Sequence, residues 1–119
     1  MTGAAPSARG VDAVLGALAD PTRRAVLEAV VHGGPATATG LARDFPVSRQ
    51  AIAKHLERLA DAGLVTSSRA GRETQWHACL EPLGAARAWM DEIGAAWDVR
   101  LTALAARLER RDATDGTNR

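Results

Sequence analysis

Basic side chains are concentrated between residues 43 and 72, and this clustering suits the binding of a polyanion. The six basic residues of this stretch are Arg43, Arg49, Lys54, Arg58, Arg69 and Arg72. Its three acids are Asp44, Glu57 and Asp61, whereas residues 81–98 carry four acids and one arginine. The formal net charge of +1 conceals this asymmetry. One part of the molecule is therefore expected to attract a polyanion while another repels it.

The segment FPVSRQAIAKHLERLADAGLV, residues 45–65, places a sharp turn between two apolar-periodic stretches. Pro46 prevents the preceding helix from continuing, and Ser48 can cap the next helix through its hydroxyl. Gly63 is suited to end that helix. The pattern predicts two helices joined by a tight turn, with the positive N-terminus of the second free to meet phosphate.

The direction of each side chain on this second helix follows from its position. With Ile52 taken as inward and 100° allowed per residue, Leu56 and Leu59 also point inward. The outward residues are then Gln50, Ala53, Lys54, Glu57 and Asp61, with Arg49 on the rim. Gln50 and Lys54 can reach base edges once such a helix enters a major groove.

The rest of the chain supplies elements that would hold this segment. The chain has 119 residues, 46% of them hydrophobic, with three tryptophans, one phenylalanine and no tyrosine, which predicts one mostly helical domain. That domain is expected over residues 11–110, between disordered tails at 1–10 and 111–119. The N-terminus lacks a signal-peptide pattern, and no apolar run has the length of a membrane helix, so no export or membrane anchoring is expected.

Periodicity predicts a helix on each side of the basic region and a hairpin within it. Two helices are expected from near Val11 and over 21–32, the second after Asp20-Pro21, and a short one over 38–44. Two strands, 64–69 and 73–80, enclose an Ala70-Gly71 turn with an arginine at each side. A last helix over 82–110 carries an apolar seam of Ala86, Met90, Ile93, Trp97, Leu101, Leu104 and Leu108.

The resulting order, α-α-α-α-β-β-α, is that of a winged helix-turn-helix, and three segments resemble the arsenical-resistance-regulator (ArsR-type) family. The segments are LADPTRRAVLEAV (18–30), LARDFPVSRQAIAKHLERLADAGLV (41–65) and RAGRETQWHACLEPL (69–83). The resemblance implies a cytoplasmic homodimer that binds operator DNA, usually to repress. It also implies that Ser48 to His55 begin the recognition helix and that Ala70-Gly71 form the wing tip.

Two sets of site residues follow from the pattern and the resemblance together. The DNA-binding set is Ser48, Arg49, Gln50, Ala53, Lys54, His55, Arg58, Arg69, Gly71 and Arg72. The dimer-interface set, on the first and last helices, is Val11, Val14, Leu15, Leu18, Met90, Ile93, Trp97, Leu101 and Leu104. The seam could instead be ordinary core within one chain, although its length favours a partner helix. His55 could instead be a partly buried residue with a hydrogen-bond partner.

Metal sensing in this family uses paired cysteines on the recognition helix or Asp and His ligands on the last helix. Here Ala51 and Ala53 offer no thiol, and the last helix has no histidine. Trp89 and Trp97 resemble the non-metal branch of the family. No metal or cofactor is therefore predicted, while a small-molecule effector stays open.

Other classes of protein find less support in the residues. A lone Cys79 excludes an intramolecular disulfide and suits a reducing cytoplasm, and with His77 it does not complete a tetrahedral metal site. No phosphate-cradling glycine loop or nucleophilic serine motif suggests an enzyme. A winged helix can also serve as a protein-interaction module, but such a module need not concentrate positive charge on its recognition helix and wing.

Overall fold

The structure, a computed structural model, describes the backbone of residues 4–117 and the side chains of residues 10–114. The helices are α1 (Ala4–Leu18), α2 (Pro21–Gly33), α3 (Ala38–Ala42), α4 (Arg49–Asp61) and α5 (Glu81–Thr117). The strands are β1 (Ala36–Thr37), β2 (Val65–Ala70) and β3 (Glu73–Ala78), which form one antiparallel sheet in the order β1-β3-β2. The mostly helical winged helix-turn-helix with its hairpin is confirmed. Strand β1, only two residues long, was not predicted.

Both terminal helices are longer than the sequence pattern indicated. Helix α1 begins at Ala4, within the predicted tail of residues 1–10, and α5 continues to Thr117 rather than ending near residue 110. Alanines at 4, 5 and 8 favour helix, and Pro6 is tolerated in a first turn, so these residues need no apolar face to be helical. Residues 1–3 and 118–119 of the predicted tails lie outside the described residues.

Two compact units divide the chain within α5: the first ends at Ala86 and the second begins at Arg87. The first unit contains the core, which α4 shares with α1, α2, α3 and β2. Ile52, Leu56 and Leu59 of α4 are fully buried there, as their predicted inward direction requires. Leu64 and Val65 continue this buried row into β2.

The two ends of α4 are fixed by side-chain and backbone hydrogen bonds. The Ser48 hydroxyl accepts the Ala51 N–H at 3.1 Å, which caps the N-terminus as predicted. At the other end, the Leu64 N–H donates to the Leu59 carbonyl and the Gly63 N–H to the Ala60 carbonyl, both at 2.9 Å. Gly63 has φ +77°, the left-handed conformation that this Schellman ending requires and that glycine adopts without strain. The helix therefore has a defined length and direction.

The corner between α1 and α2 is held by the residues of the ADPTRR sequence. Asp20 caps α2 by accepting the Arg23 N–H at 2.9 Å. The guanidinium of Arg23 donates to the carbonyls of Gly16 and Ala17, and that of Arg24 to the carbonyl of Leu18. These arginines satisfy the last carbonyls of α1. Both arginines therefore have a structural role at the corner between α1 and α2.

Asp20 makes folding stability depend on acidity at this joint. The hydrogen bond from the Arg23 N–H holds the pKa of Asp20 below its ordinary value of 3.8. Since the folded-state pKa is the lower one, this stabilisation is present above pH 4 or so and is lost as pH falls through the folded value. We expect Asp20→Asn, which keeps an N-cap acceptor, to flatten the acid limb of a pH-dependent melting series. An acid limb identical to that of the wild type would contradict this role.

None of the helices in the described part of the chain is long and apolar enough to cross a membrane.

Candidate nucleic-acid interface

The outer surface of α4 carries an exposed polar ridge on the side opposite the core. Gln50, Lys54 and Arg58 are all exposed there. Because Ile52, Leu56 and Leu59 anchor the opposite side, the ridge is fixed in direction. A shallow depression along the ridge is lined by Lys54, Glu57, Arg58 and Asp61. This ridge has the length and polarity of a surface that enters a groove of a nucleic acid.

A cleft of about 290 Å³ lies beside the ridge, where α4 approaches the hairpin. Its lining comes from three segments: Thr37, Ala38 and Thr39 at the start of α3; Arg49, Ala53 and Glu57 of α4; and Arg72, Glu73, Thr74 and Trp76 of the hairpin. Strand β1 makes this possible, since Ala36 pairs with Trp76 and Thr37 with Gln75. The Thr37 hydroxyl in turn accepts the Gly40 N–H at 3.0 Å and caps α3.

Two exposed arginines, Arg49 of α4 and Arg72 of the hairpin, line this cleft. Arginine offers planar, bidentate donors that match phosphate oxygens. Two carboxylates, Glu57 and Glu73, line the same cleft. The cleft therefore combines two arginines whose donors match phosphate with two carboxylates that repel it.

The hairpin ends in a tight turn at Gly71, whose φ of +67° suits glycine. β2 and β3 pair in register from Val65 with Ala78 to Ala70 with Glu73. Arg69 pairs with Thr74 and is exposed, but it does not line the cleft. Ser68 and the Nε2 of His77 share a cross-strand hydrogen bond of 2.9 Å. His77 is thus already engaged within the wing.

Known proteins with similar sequences and structures agree with this geometry. The family described as a helix-turn-helix domain matches residues 18–68. The HTH-type transcriptional regulator Rv2034 of Mycobacterium tuberculosis is 41% identical over 97 residues, which cover 82% of this chain and 87% of that protein. The solved ArsR-like transcriptional regulator from Rhodococcus sp. RHA1 is 39% identical, with a TM-score of 0.71, over 83% of this chain and 92% of that chain.

The chain belongs to the ArsR family of winged helix-turn-helix transcriptional regulators. It is a DNA-binding regulator, and the ridge of α4 with its adjoining wing is the exposed polar surface predicted to meet DNA. A third relative, the transcriptional repressor SdpR of Bacillus subtilis, is 37% identical over 59 residues, 50% of this chain and 64% of that protein.

In this ArsR-family regulator the predicted DNA-binding residues fall into separate groups. Ser48 is the helix cap, and Gly71 forms the wing turn. The exposed group that does not line the cleft is Gln50, Lys54, Arg58 and Arg69, while Arg49, Arg72 and half-buried Ala53 do line it. The structure brings these residues to one region, but their contacts with DNA stay a prediction.

His55 is the exception among the predicted DNA-binding residues. Its side chain is half-buried, and its Nδ1 is buried without a hydrogen-bond partner among the described residues. The ring lies about 60° from the direction of Ile52, beside Leu56, which turns it toward the core rather than the ridge. We therefore leave His55 out of the DNA-facing surface. The alternative interpretation is a partly buried histidine with a hydrogen-bond partner. The partial burial is observed, but Nδ1 has no such partner among the described residues.

Sequence reasoning missed Trp76 and the residues at the start of α3. Trp76 is half-buried and lines the cleft together with Thr37 and Thr39. Their only sequence signal is weak: Thr37 is a helix cap, and β1 is too short to show an alternating pattern.

The predicted interface residues on the last helix are open to solvent in the single chain. Their exposed fractions are 52% for Met90, 53% for Ile93, 56% for Trp97, 45% for Leu101 and 50% for Leu104. Trp97, Leu101 and Leu104 also border a shallow depression with Arg100 and Arg107. Leu104, seven residues after Trp97, continues the apolar repeat of the predicted seam. We call Met90, Ile93, Trp97, Leu101 and Leu104 the α5 stripe.

On the first helix, only part of the predicted interface set is accessible. Leu15 is 39% exposed, whereas Val14 is fully buried in the core of the first unit. Val11 is 9% exposed, and Leu18 packs against that core. Because Val14 has no surface left for another chain, we leave it out of the proposed interface. Leu15 stays a prediction.

The described side chains, those of residues 10–114, contain no group of three His, Cys, Asp or Glu residues placed to hold a metal ion. The absence of metal control stays a prediction. Cys79 is half-buried and its backbone N–H donates to the Leu64 carbonyl at 2.8 Å.

Arg72 is expected to contribute to DNA affinity without contributing to base preference. If its guanidinium neutralises one phosphate, Arg72→Ala should flatten the slope of log affinity against log salt by about one unit on every duplex. Arg111→Ala, which removes the same charge from an exposed position of α5, is the control and should leave the slope unchanged. A changed base preference with an unchanged slope would contradict this assignment.

Proposed function

We propose that this protein is a homodimeric transcriptional repressor that binds an inverted-repeat operator through two copies of α4. The observation that carries the proposal is the exposed polar ridge of α4, fixed by its buried opposite side and flanked by the arginines of the cleft. Each ridge reads one half-site in the major groove, and each wing contacts the adjoining backbone. An inverted repeat matches the two-fold symmetry of such a dimer.

The dimer is assigned to the α5 stripe. Large apolar side chains at about half exposure recur from Met90 to Leu104, whereas soluble monomers seldom expose a continuous apolar surface of that extent. A second copy of the same helix presents the same stripe and can cover it isologously. Dimerisation places two recognition helices to act on successive major grooves, about 34 Å apart.

Repression is proposed from relatives and from the general effect of an operator complex. The relative SdpR is named a transcriptional repressor. A dimer bound across a promoter excludes other proteins from the same stretch of DNA. No metal, cofactor or catalytic step is part of this proposal. The protein acts in the cytoplasm, where it meets DNA. The identity of any small-molecule effector is left open.

Gln50 provides the sharpest test of base reading by α4. An amide can donate and accept hydrogen bonds with one base, so Gln50→Ala should cost about 1 to 3 kcal/mol on the operator and relax preference at one position of each half-site. The matched control is Gln75→Ala, which removes the chain's other glutamine from the wing. Quantitative footprinting on operator and scrambled duplexes measures both effects. Equal losses on both duplexes would contradict base reading by Gln50.

A further inference from the structure

An acidic residue, Glu57, lies on the exposed side of α4 beside the predicted DNA-binding residues. It is exposed, and it borders both the cleft and the depression along the ridge. It lies seven residues after Gln50, so the two side chains share one side of the helix and are about 10 Å apart along its axis. That distance corresponds to about three base-pair steps of B-DNA. Glu57 is therefore placed to meet the same groove as Gln50.

No hydrogen bond or ion pair occupies the Glu57 carboxylate within the described part of the chain. A carboxylate only accepts hydrogen bonds, and it is repelled by phosphate. In the major groove, guanine and thymine present acceptors at O6, N7 and O4, adenine presents the N6 amine beside the acceptor N7, and cytosine presents the N4 amine alone. A free acid in this position is therefore favourable opposite cytosine and unfavourable opposite most other groups.

We propose that Glu57 is a specificity-determining residue that accepts a hydrogen bond from the N4 amine of one cytosine in each half-site. This inference rests on the proposed operator function. It gives the acid two effects: it stabilises the complex with the correct site and weakens complexes in which it faces an acceptor or a phosphate. Glu73, which lines the same cleft from the wing, has only the second effect because it does not lie on the recognition helix.

The test compares full-length wild type with Glu57→Ala, Glu57→Gln and the control Glu73→Ala. Each protein selects duplexes from a random pool, and its affinity is then measured on the wild-type operator and on a copy with the cytosine pair replaced by T·A. Wild type should enrich one cytosine per half-site and lose about 5- to 100-fold in affinity on the replaced half-site. Glu57→Ala should lose that enrichment and tell the two duplexes apart by less than about twofold.

The other two variants separate base reading from charge repulsion. Glu57→Gln should move the preference at that position toward adenine, because a glutamine amide pairs with adenine N6 and N7. Glu73→Ala should keep the cytosine and strengthen binding to all duplexes alike. Unaltered selection at every other position shows that each variant is folded.

Two results would overturn the inference. If Glu57→Ala raises affinity for every duplex by one common factor and keeps the wild-type preference, Glu57 is a repulsive charge and reads no base. If wild type selects an inverted repeat without a position that depends on Glu57, the inference fails while the operator function stands. If wild type selects no site at all, the operator function fails and the inference fails with it.

Discussion

Replacing Leu101 by glutamate is expected to convert the protein into a folded monomer and to weaken operator binding by about a hundredfold or more. Leu101 lies in the α5 stripe and is 45% exposed in the single chain, so the substitution adds a carboxylate to a surface that is already accessible. In a dimer it would bury two unpaired charges against apolar side chains, which is strongly unfavourable. A monomer binds one half-site at a time and loses the gain of linked binding.

The matched control for this experiment is Val99→Glu. Val99 is on the same helix and is 69% exposed, but it lies about 160° around the axis from Leu101. It should keep the mass and the affinity of the wild type. Sedimentation velocity and operator titration on the same samples measure both properties. A Leu101→Glu protein that stays dimeric with full affinity would show that the α5 stripe is not the interface.

Replacing Leu56 by alanine is expected to destabilise the first unit by about 2 to 5 kcal/mol. Leu56 is fully buried at the centre of α4, and alanine favours helix, so the loss comes from lost packing and a cavity rather than from helix propensity. Chemical denaturation at one fixed protein concentration measures the loss, since dimerisation makes stability concentration-dependent.

Lys54→Ala is the control for Leu56→Ala, because it removes an exposed side chain two residues away on the same helix. It should change the free energy of unfolding by less than about 0.5 kcal/mol while weakening DNA binding. A substitution on the buried side of α4 would then lower stability, whereas a substitution on the ridge would lower DNA affinity. A loss of stability in Lys54→Ala as large as that in Leu56→Ala would contradict the division of α4 into a buried side and a ridge.

Local patterns explain why α4 was predictable almost residue by residue. Ser48 and Gly63 mark its two ends chemically, and the spacing of its leucines and isoleucine follows the helical period. The hairpin was also predictable, since Gly71 separates two β-favouring stretches. These features depend on neighbours in the sequence, which is the information a sequence carries most directly.

The cleft could not be predicted in the same way, because it joins segments distant in the sequence. Thr37 joins Arg49 and Arg72 in the lining of the cleft because the two-residue strand β1 pairs with β3. Val14 shows the same limit: the pattern places it on the dimer surface, whereas the core of the first unit covers its side chain completely. The position of a residue around the helix axis gives the direction of its side chain, but not which other elements pack against it.

We propose that two chains read one inverted repeat through their α4 ridges. Native mass spectrometry of the protein with a duplex carrying a footprinted operator tests it most directly, at a salt concentration near that of the cell. We expect two chains per duplex, half-sites centred about one helical turn apart, and one chain per duplex for Leu101→Glu. Binding of single wild-type chains, with equal affinity for any duplex of the same length, would contradict it.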